Sequence, residues 1–460
     1  MDTPIFDFVT AYRDRKALRL HMPGHKGVGT LGVEALDITE INGADVLYHA
    51  EGIIGQSEAN AAKLFGTART VYSTEGSSLA IRAMLYLAVL WAKAEGKQPV
   101  IAAGRNAHKT FLTAAALLDI DPVWLYPNRR EDILTCMITG PELEAFFTQA
   151  DVIPTAIYIT SPDYLGNVAD VRALAEVCHR YGALLLVDNA HGAYLRFLPD
   201  RDGNAGRGEA CSTVAVGHPM DLGADICCDS AHKTLPVLTG GAYLHISKGA
   251  PKGLAERADQ AMALFASTSP SYLIMESLDL TNRYLAEGYR ERLEGFVRRV
   301  AILKQRLTKA GYTLIGNEPL KITVKGKTYG YTGNELAAVL EAENMICEFS
   351  DPDYVVLMLT PELSDQALAR IEEVLTGLER KKEILTIMPE LPVPDKRFTP
   401  REALFLPGKR ELVDQCLGRV LVSPSVSCPP AIPVVVCGEI IDEASIEVFN
   451  YYGIEACVVY

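Results

Sequence analysis

The sequence predicts an α/β fold whose sheet is mostly parallel. From about residue 55 the chain alternates short apolar runs with amphipathic helical patterns, and this alternation is typical of a parallel sheet covered by helices on both faces. The chain has 460 residues, of which 48% are hydrophobic and 22% charged, so it can form two or three domains around well-buried cores. No G-x-G-x-x-G motif follows the first strand, which argues against a nicotinamide-binding version of the fold.

The elements of the sheet domain follow in order along the chain. A long helical pattern covers residues 78–93, and a second covers 169–182 with its apolar side chains on one face and Gly182 where a C-terminal cap belongs. The predicted strands are the apolar runs at 67–74, 99–103, 122–126, 154–160, 184–188, 224–228 and 242–246.

Helical patterns from about Tyr272 to Ala310 lead out of the sheet domain. Short strands at 322–324 and 354–359 and an amphipathic helix with Ile371, Val374, Leu375 and Leu378 inward then indicate a smaller α+β domain. Prolines at 389, 392, 394 and 400 mark a linker. The predicted division is an N-terminal arm (1–45), a large domain (46–295), a small α+β domain (296–388) and a C-terminal unit (401–460).

Composition excludes several classes of partner. The net charge is −14 and no basic run stands out, so nucleic acid and anionic membranes are poor partners. No signal peptide is visible, and no apolar run approaches the roughly 18 residues of a membrane span. The ten cysteines include no C-x-x-C pair, which predicts reduced, mostly buried thiols in a cytoplasmic protein.

Two polar groups follow early strands of the predicted sheet, where ligands of open α/β sheets bind. Gly76, Ser77 and Ser78 stand between a strand and a helix, where a glycine, two hydroxyls and a helix N-terminus could hold a phosphate. An ordinary helix N-cap is the alternative there. His108, in G-R-N-A-H-K-T, follows the next strand and is either a stacking residue or a surface loop histidine.

Two further groups follow later strands. Asp188 ends the most apolar strand, where a carboxylate is costly unless it meets a cation, a protonated ring nitrogen or a structural salt-bridge partner. Ser230, His232 and Lys233 form S-A-H-K after the 224–228 run. A lysine there is an ordinary turn residue or a nucleophile whose pKa is lowered by desolvation.

Together the four groups fit pyridoxal phosphate, which needs a phosphate turn, a stacking residue, an aspartate at the ring nitrogen and a Schiff-base lysine. The order of these groups resembles that of fold-type-I pyridoxal enzymes. More specifically, the chain resembles the bacterial ornithine/lysine/arginine decarboxylase family, in its short form without a receiver-like domain. The motifs that carry it are H-M-P-G-H-K-G (21–27), D-I-T-E-I-N-G-A-D-V-L-Y-H-A-E-G-I-I (37–54), V-D-N-A-H-G-A-Y (187–194), S-T-S-P-S-Y (267–272) and, more loosely, C-P-P-A-I-P-V-V-V-C-G-E (428–439).

The resemblance implies decarboxylation of a basic amino acid to an amine for polyamine biosynthesis, in a homodimer with shared active sites. It implies that Lys233 carries the cofactor, that Asp188 pairs with the ring nitrogen and that His108 stacks on the ring above Ala190. The catalytic set would be Lys233, His232, His108 and Asp188. The remaining implied contacts are Gly76, Ser77, Ser78, Ser230 and His232 around the phosphate, Thr268 and Ser269 reaching it from the partner subunit, and Glu439 at the distal amino group of the substrate.

Three positions depart from the family pattern of Tyr-Pro-Pro-Gly-Ile-Pro followed by Pro-Gly-Glu. Cys428 replaces the tyrosine, Ala431 the glycine and Cys437 the proline, which leaves open which basic amino acid is used. The S-T-S-P-S-Y motif also fits a plain helix start, with Ser269 as N-cap and Pro270 as the first helical residue. A metal site at His21 and His25 is disfavoured because Pro23 and Gly24 stand between them.

Two rival functions stay open at the level of sequence. An aminotransferase or another fold-type-I pyridoxal enzyme would use the same Ser77, His108, Asp188 and Lys233. A pyridoxal-binding pseudoenzyme that regulates a partner is compatible with the altered C-terminal motif.

Overall fold

The computed structural model describes residues 1–130, 132–199, 216–428 and 432–460. The α-helices in these ranges are α1 (Pro4–Asp14), α2 (Ile53–Phe65), α3 (Gly76–Ala94), α4 (Lys109–Leu118), α5 (Gly140–Gln149), α6 (Val171–Arg180), α7 (Ala231–Thr234), α8 (Ala258–Ala263), α9 (Tyr272–Ala286), α10 (Tyr289–Lys309), α11 (Gly333–Ala342), α12 (Asp365–Thr376), α13 (Pro400–Leu404) and α14 (Glu443–Tyr451).

The strands follow the same alternation through the first half of the chain. They are β1 (Arg69–Ser73), β2 (Ile101–Gly104), β3 (Val123–Leu125), β4 (Ala156–Thr160), β5 (Leu184–Asp188), β6 (Ile226–Asp229), β7 (Ala242–Ile246), β8 (Thr313–Ile315), β9 (Lys321–Lys325), β10 (Phe349–Ser350), β11 (Tyr354–Met358), β12 (Lys409–Leu412), β13 (Ser425–Cys428), β14 (Ile432–Val436) and β15 (Ala456–Val459).

The described residues form two compact units. The first comprises residues 1–99, 171–199 and 217–292, and the second comprises the described parts of 100–170 and 293–460. In the first unit the strand order is β1-β7-β6-β5. Strand β7 is antiparallel to β1 and to β6, whereas β5 and β6 are parallel with Asp188 opposite Cys228. Strands β1, β6 and β5 therefore run in one direction, and all four are almost completely buried.

In the second unit β4, β2 and β3 are paired in parallel, with β2 in the middle. A separate antiparallel sheet has the order β10-β11-β9-β8 and is accompanied by α11 and α12. The last part of the chain adds the antiparallel pairs β12/β15 and β13/β14 around an apolar core that includes Leu421, Val435, Ile441, Val448 and Phe449. The prediction of an α/β fold with a mostly parallel sheet is confirmed.

Most predicted elements form within a few residues of their expected ends, because the hydrophobic pattern matches the burial of each element. Strand β5 coincides with the predicted 184–188 run, and Gly182 has the left-handed backbone (φ +64°) of a C-terminal cap. Helix α12 buries Ile371 and Leu375, but it ends at Thr376, so the expected inward position of Leu378 lies beyond it.

Helix α3 is the one described helix long and apolar enough to cross a membrane by length and composition, although the sequence pattern indicated no such run. More than half of its apolar window is buried within the chain, against strands that include β6 and β7. Its apolar character is thus accounted for by packing on the sheet.

Candidate active site

The carboxyl ends of β5 and β6 form the centre of the candidate site. Because these strands are parallel and Asp188 pairs with Cys228 in register, Asp188 and Ser230 emerge at the same edge of the sheet. Ser230 precedes the short helix α7, which contains His232 and Lys233. The first unit therefore brings the predicted aspartate and the predicted lysine segment to one edge.

The predicted phosphate turn lies at the start of α3. Gly76 is the first helical residue and has φ +70°, and a Cβ atom there would meet no atom within 4 Å, so the turn faces open space. The hydroxyl of Ser230 donates a hydrogen bond to Oγ of Ser77 at 2.8 Å. The N-cap residue is Glu75, so neither Ser77 nor Ser78 serves as the cap. The hydroxyls of Ser77 and Ser230 thus meet at the N-terminus of α3, and this arrangement suits a phosphate.

Asp188 is buried, with 3% of its surface exposed. Its Oδ1 accepts hydrogen bonds from the backbone N–H of Ala190 at 3.2 Å and from the thiol of Cys228 at 3.6 Å. These contacts hold the carboxylate at the end of β5 and place Ala190 directly beside it. A carboxylate in this position can keep a ring nitrogen protonated, because a buried anion stabilises a neighbouring cation.

Lys233 is half-buried, and its Nζ lies 3.1 Å from Nε2 of His191, which is within hydrogen-bonding distance. His191 was not among the predicted site residues. It is buried with 5% exposure and stands three residues after Asp188, so its position in V-D-N-A-H after a buried strand was the signal that could have identified it. The loop after β5 therefore reaches the predicted cofactor lysine directly.

His232 is bound to the turn before β7. Its backbone N–H and its ring Nδ1 both lie within hydrogen-bonding distance of the carbonyl of Gly241, at 3.1 and 2.9 Å. Because a carbonyl only accepts, Nδ1 carries the hydrogen. Burial lowers the pKa of His232 and the charge of Lys233 lowers it further, against the opposing effect of the Gly241 bond. The lowered pKa favours the neutral imidazole, and the two contacts with Gly241 hold α7 in place.

Asp229, the residue before Ser230, forms a fully buried cluster with His218 and His245. Asp229 accepts from Nδ2 of Asn189 at 2.6 Å and lies 2.9 and 3.2 Å from Nε2 of His218 and of His245. The backbone N–H of Met220 donates to Nδ1 of His218, so its Nε2 carries the hydrogen and cannot also bind a metal in the neutral ring. Burial raises the pKa of Asp229, but the two histidines outweigh it and hold that pKa well below its usual range. The cluster is a hydrogen-bonded network that ties the loop after β5 to the end of β6.

Thr268 and Ser269 are exposed, and they precede α9. The N-cap of α9 is Ser271, whose hydroxyl accepts from the N–H of Ile274, so the alternative with Ser269 as N-cap is wrong. The observed N-cap lies two residues after the expected one, because either serine of S-P-S (269–271) can cap a helix. In the same chain the N–H of Ser267 donates to Oε1 of Glu75 at 2.7 Å, which brings this segment to the residue before the predicted phosphate turn.

In the second unit, His108 is the N-cap of α4. Its Nδ1 accepts from the N–H of Thr110 at 3.2 Å and lies 2.9 Å from the Thr110 hydroxyl. Nδ1 is therefore unprotonated, Nε2 carries the hydrogen, and the cap fixes the plane of the ring. His108 is thus a helix N-cap and is partly buried.

Glu439 also belongs to the second unit and is buried with 2% exposure. Its Oε2 accepts from Arg105 at 2.9 Å and from the N–H of Val436 at 2.8 Å. Of the three departures from the family pattern, Cys437 is a buried thiol whose pKa is raised to about 12 by burial, with Glu439 adding to the rise. Ala431 lies outside the described residues, and for Cys428 only its strand is described.

The first unit fits pyridoxal phosphate on three observations. The turn at Gly76 leaves open space before a 19-residue helix, hydroxyls from two elements meet there, and a buried carboxylate and a lysine lie at the same sheet edge. Hydroxyls and a helix N-terminus suit a phosphate dianion, and the carboxylate suits a protonated pyridine nitrogen.

Comparison with known proteins agrees with this chemistry. The profile described as "Orn/Lys/Arg decarboxylase, major domain" matches residues 3–318. The arginine decarboxylase of Bacillus subtilis (strain 168) is 28% identical over 97% of this chain and 92% of its own length. The arginine decarboxylase of Halalkalibacterium halodurans is 28% identical over 96% of this chain and 92% of its own length.

Among solved structures, the lysine decarboxylase of Francisella novicida superposes with a TM-score of 0.79 at 17% identity, over 99% of this chain and 81% of that one. This likeness confirms the fold, and the family profile covers more than half of the chain. The chain therefore belongs to the Orn/Lys/Arg decarboxylase family, and it is, as its motifs predicted, a pyridoxal-phosphate-dependent decarboxylase of a basic amino acid.

Proposed function

We propose that Lys233 carries the cofactor of this decarboxylase. The observation that supports this most is the contact of Lys233 with His191 at 3.1 Å, because it joins the lysine to the loop that begins at Asp188. A lysine can attack the cofactor carbonyl only as the neutral amine, and the neighbouring imidazole offers an acceptor for its proton.

The other residues of the first unit have proposed roles around the same group. Ser77, Ser78 and Ser230 would hold the phosphate at the start of α3, with Gly76 allowing close approach. Ala190 would pack beneath the ring. In the second unit, His108 would stack on the ring, since its cap bonds fix the imidazole plane.

Pyridoxal phosphate supplies an electron sink for the electron pair left when the substrate carboxylate departs as carbon dioxide. Asp188 would hold a proton at the ring nitrogen, which would strengthen that sink. Lys233 is the proposed donor that returns a proton to Cα of the substrate, and His232 is the second candidate. The predicted contact of Glu439 with the distal amino group of the substrate stays a prediction.

We propose arginine as the preferred substrate, because four of the relatives that cover 94–97% of this chain are named arginine decarboxylases. The test is to incubate the reconstituted protein with arginine, lysine or ornithine and to measure carbon dioxide and amine. We expect equal amounts of both products, with the highest kcat/KM for arginine. Norleucine, which has the length of lysine without its ammonium group, is the matched control and should react at least ~100-fold more slowly.

Two results would contradict this function. Formation of a 2-oxo acid without carbon dioxide would establish the aminotransferase alternative. Tight binding of the cofactor without turnover of any of the three amino acids would favour the pseudoenzyme.

We further propose a homodimer whose active sites are shared. The segment between α1 and α2 contains neither helix nor strand and presents leucines 18, 20 and 31 with more than 80% of their surface exposed. Apolar side chains exposed to this degree in one segment favour burial against another chain. Thr268 and Ser269, also exposed, are the residues proposed to reach the neighbouring site.

The shared site can be tested by mixing two defective variants, Lys233→Ala and the double variant Thr268→Ala/Ser269→Ala. A hybrid dimer then contains one site with both lesions and one site with neither, so we expect decarboxylation to reappear on mixing. With random exchange half of the dimers are hybrids, which sets the maximum at roughly a quarter of wild-type activity.

The control is a mixture of wild-type and Lys233→Ala chains carrying different tags, which measures subunit exchange by co-purification. If exchange is complete and no activity returns, the segment acts within its own chain. The hydrogen bond from Ser267 to Glu75 of the same chain is the observation that would support this alternative.

The remaining proposals concern context. We propose that the enzyme works in the cytoplasm and supplies an amine to polyamine biosynthesis. We also propose the division into an arm (1–45), a large domain (46–295), a small domain (296–388) and a C-terminal unit (401–460). Limited proteolysis at the proline-rich linker would test the last boundary.

A further inference from the structure

Arg105 is a buried cation in the loop that presents His108. It follows β2, precedes His108 by three residues and is 6% exposed. Its Nη2 donates to the carbonyl of Val434 at 3.0 Å and to Glu439 at 2.9 Å, and its guanidinium lies 5.1 Å from the centre of the Trp124 ring. The guanidinium is therefore enclosed by an aromatic face, two consecutive backbone carbonyls and one carboxylate.

Glu439 is enclosed to the same degree. Its Oε2 accepts hydrogen bonds from the Arg105 guanidinium and from the N–H of Val436, and its side chain is 3% exposed. Gly438 beside it has φ +92°, and a Cβ atom there would come within 2.1 Å of the carbonyl oxygen of Phe398, so the turn that carries Glu439 is tightly constrained. A substrate cation that bound at Oε2 would have to displace the Arg105 guanidinium from a carboxylate that is almost completely buried.

We propose that Glu439 is a positioning residue, which neutralises Arg105 and thereby holds the loop of His108, and that a different group recognises the distal cation of the substrate. This inference rests on the proposed stacking role of His108. A charge this deeply buried needs a partner of opposite sign, and Glu439 is the carboxylate in contact with Arg105 among the described residues. Burial raises the pKa of Glu439, while the charge of Arg105 opposes that rise.

If Glu439 neutralises Arg105, removing the charge of Arg105 should restore the stability lost when Glu439 loses its charge. A carboxylate that only binds substrate would not show this rescue. Glu439→Gln keeps the shape of the side chain and leaves the charge of Arg105 unpaired. Arg105→Met removes the cation while keeping an unbranched chain beside Trp124. The double variant Glu439→Gln/Arg105→Met contains neither charge, so the desolvation penalty of an unpaired ion disappears.

The first measurement uses the apoprotein and does not depend on activity. We expect Glu439→Gln to lower the midpoint of thermal unfolding by roughly 5–10 °C and the double variant to regain at least about half of that loss. The matched control is Glu372→Gln, which breaks the ion pair with Arg306 on the surface and should shift the midpoint by less than about 2 °C. If Glu439→Gln does not accumulate as folded protein, recovery of folded protein in the double variant reports the same coupling.

The second measurement uses the holoenzyme and the affinity for pyridoxal phosphate. We expect Glu439→Gln to weaken cofactor binding and to lower kcat by roughly 10- to 100-fold, with KM for the preferred amino acid changed by less than about 3-fold. The double variant should restore cofactor affinity.

A rise in KM of roughly 10- to 100-fold with an unchanged unfolding midpoint, and no rescue by Arg105→Met, would assign Glu439 to the substrate and overturn the proposal. Failure of the wild-type protein to decarboxylate would instead overturn the proposed function, whereas the apoprotein result would still stand.

Discussion

Replacement of Lys233 by alanine is expected to abolish covalent attachment of pyridoxal phosphate and to lower decarboxylation by roughly four orders of magnitude or more. The alanine removes both the nucleophile that binds the cofactor and the proposed proton donor to Cα. Reduction of the wild-type holoenzyme with borohydride, followed by peptide mapping, should place the pyridoxyl group on Lys233. The same treatment of the variant should label no single lysine.

The matched control for this experiment is Lys248→Ala, in the exposed turn after β7 of the same unit. It removes a lysine outside the carboxyl edge of β5 and β6, so labelling and turnover should equal those of the wild type. A pyridoxyl group on Lys26 or Lys109 in the wild-type protein would refute the assignment to Lys233.

Asp188→Asn is expected to retain the cofactor and to lose ~2–4 orders of magnitude in kcat. The amide conserves the shape of the carboxylate and its acceptor for the N–H of Ala190, but it removes the charge that keeps a ring nitrogen protonated. The measurement is kcat together with the absorbance spectrum of the bound cofactor, which shows that the site is loaded. Turnover near the wild-type rate in a fully loaded variant would remove Asp188 from its proposed role.

Asp225→Asn is the control for loss of a buried carboxylate beside the neighbouring strand β6. Asp225 lies at the opposite end of β6, where it accepts from the N–H of Leu185 at 2.8 Å and from His179 at 3.0 Å. We expect this variant to lose roughly 1–3 kcal/mol of stability while its kcat stays unchanged, because it supports the sheet far from the carboxyl edge. A comparable loss of kcat in both variants would indicate a general effect of destabilisation.

The candidate site divides into parts that sequence could predict and parts that it could not. Asp188 was predictable because a carboxylate directly after a continuous apolar run is expected to end a buried strand, and β5 does end there. Ser77 and Ser230 were predictable as strand-end hydroxyls, but their 2.8 Å contact joins residues 153 positions apart. Which hydroxyls meet depends on the pairing of strands, and the hydrophobic pattern does not encode pairing.

Local patterns were enough to predict the alternation of strands and helices and the order of Ser77, Asp188 and Lys233 along the chain, and through them the family and the cofactor. These features are local, since each depends on residue types within a few positions of one another. Three contacts could be found only in the folded chain: His191 with Lys233, Asn189 with Asp229, and Arg105 with Glu439 across 334 positions. Each of these contacts arises because burial forces a polar or charged group to find a partner, and the nearest partner is set by how the strands and loops pack.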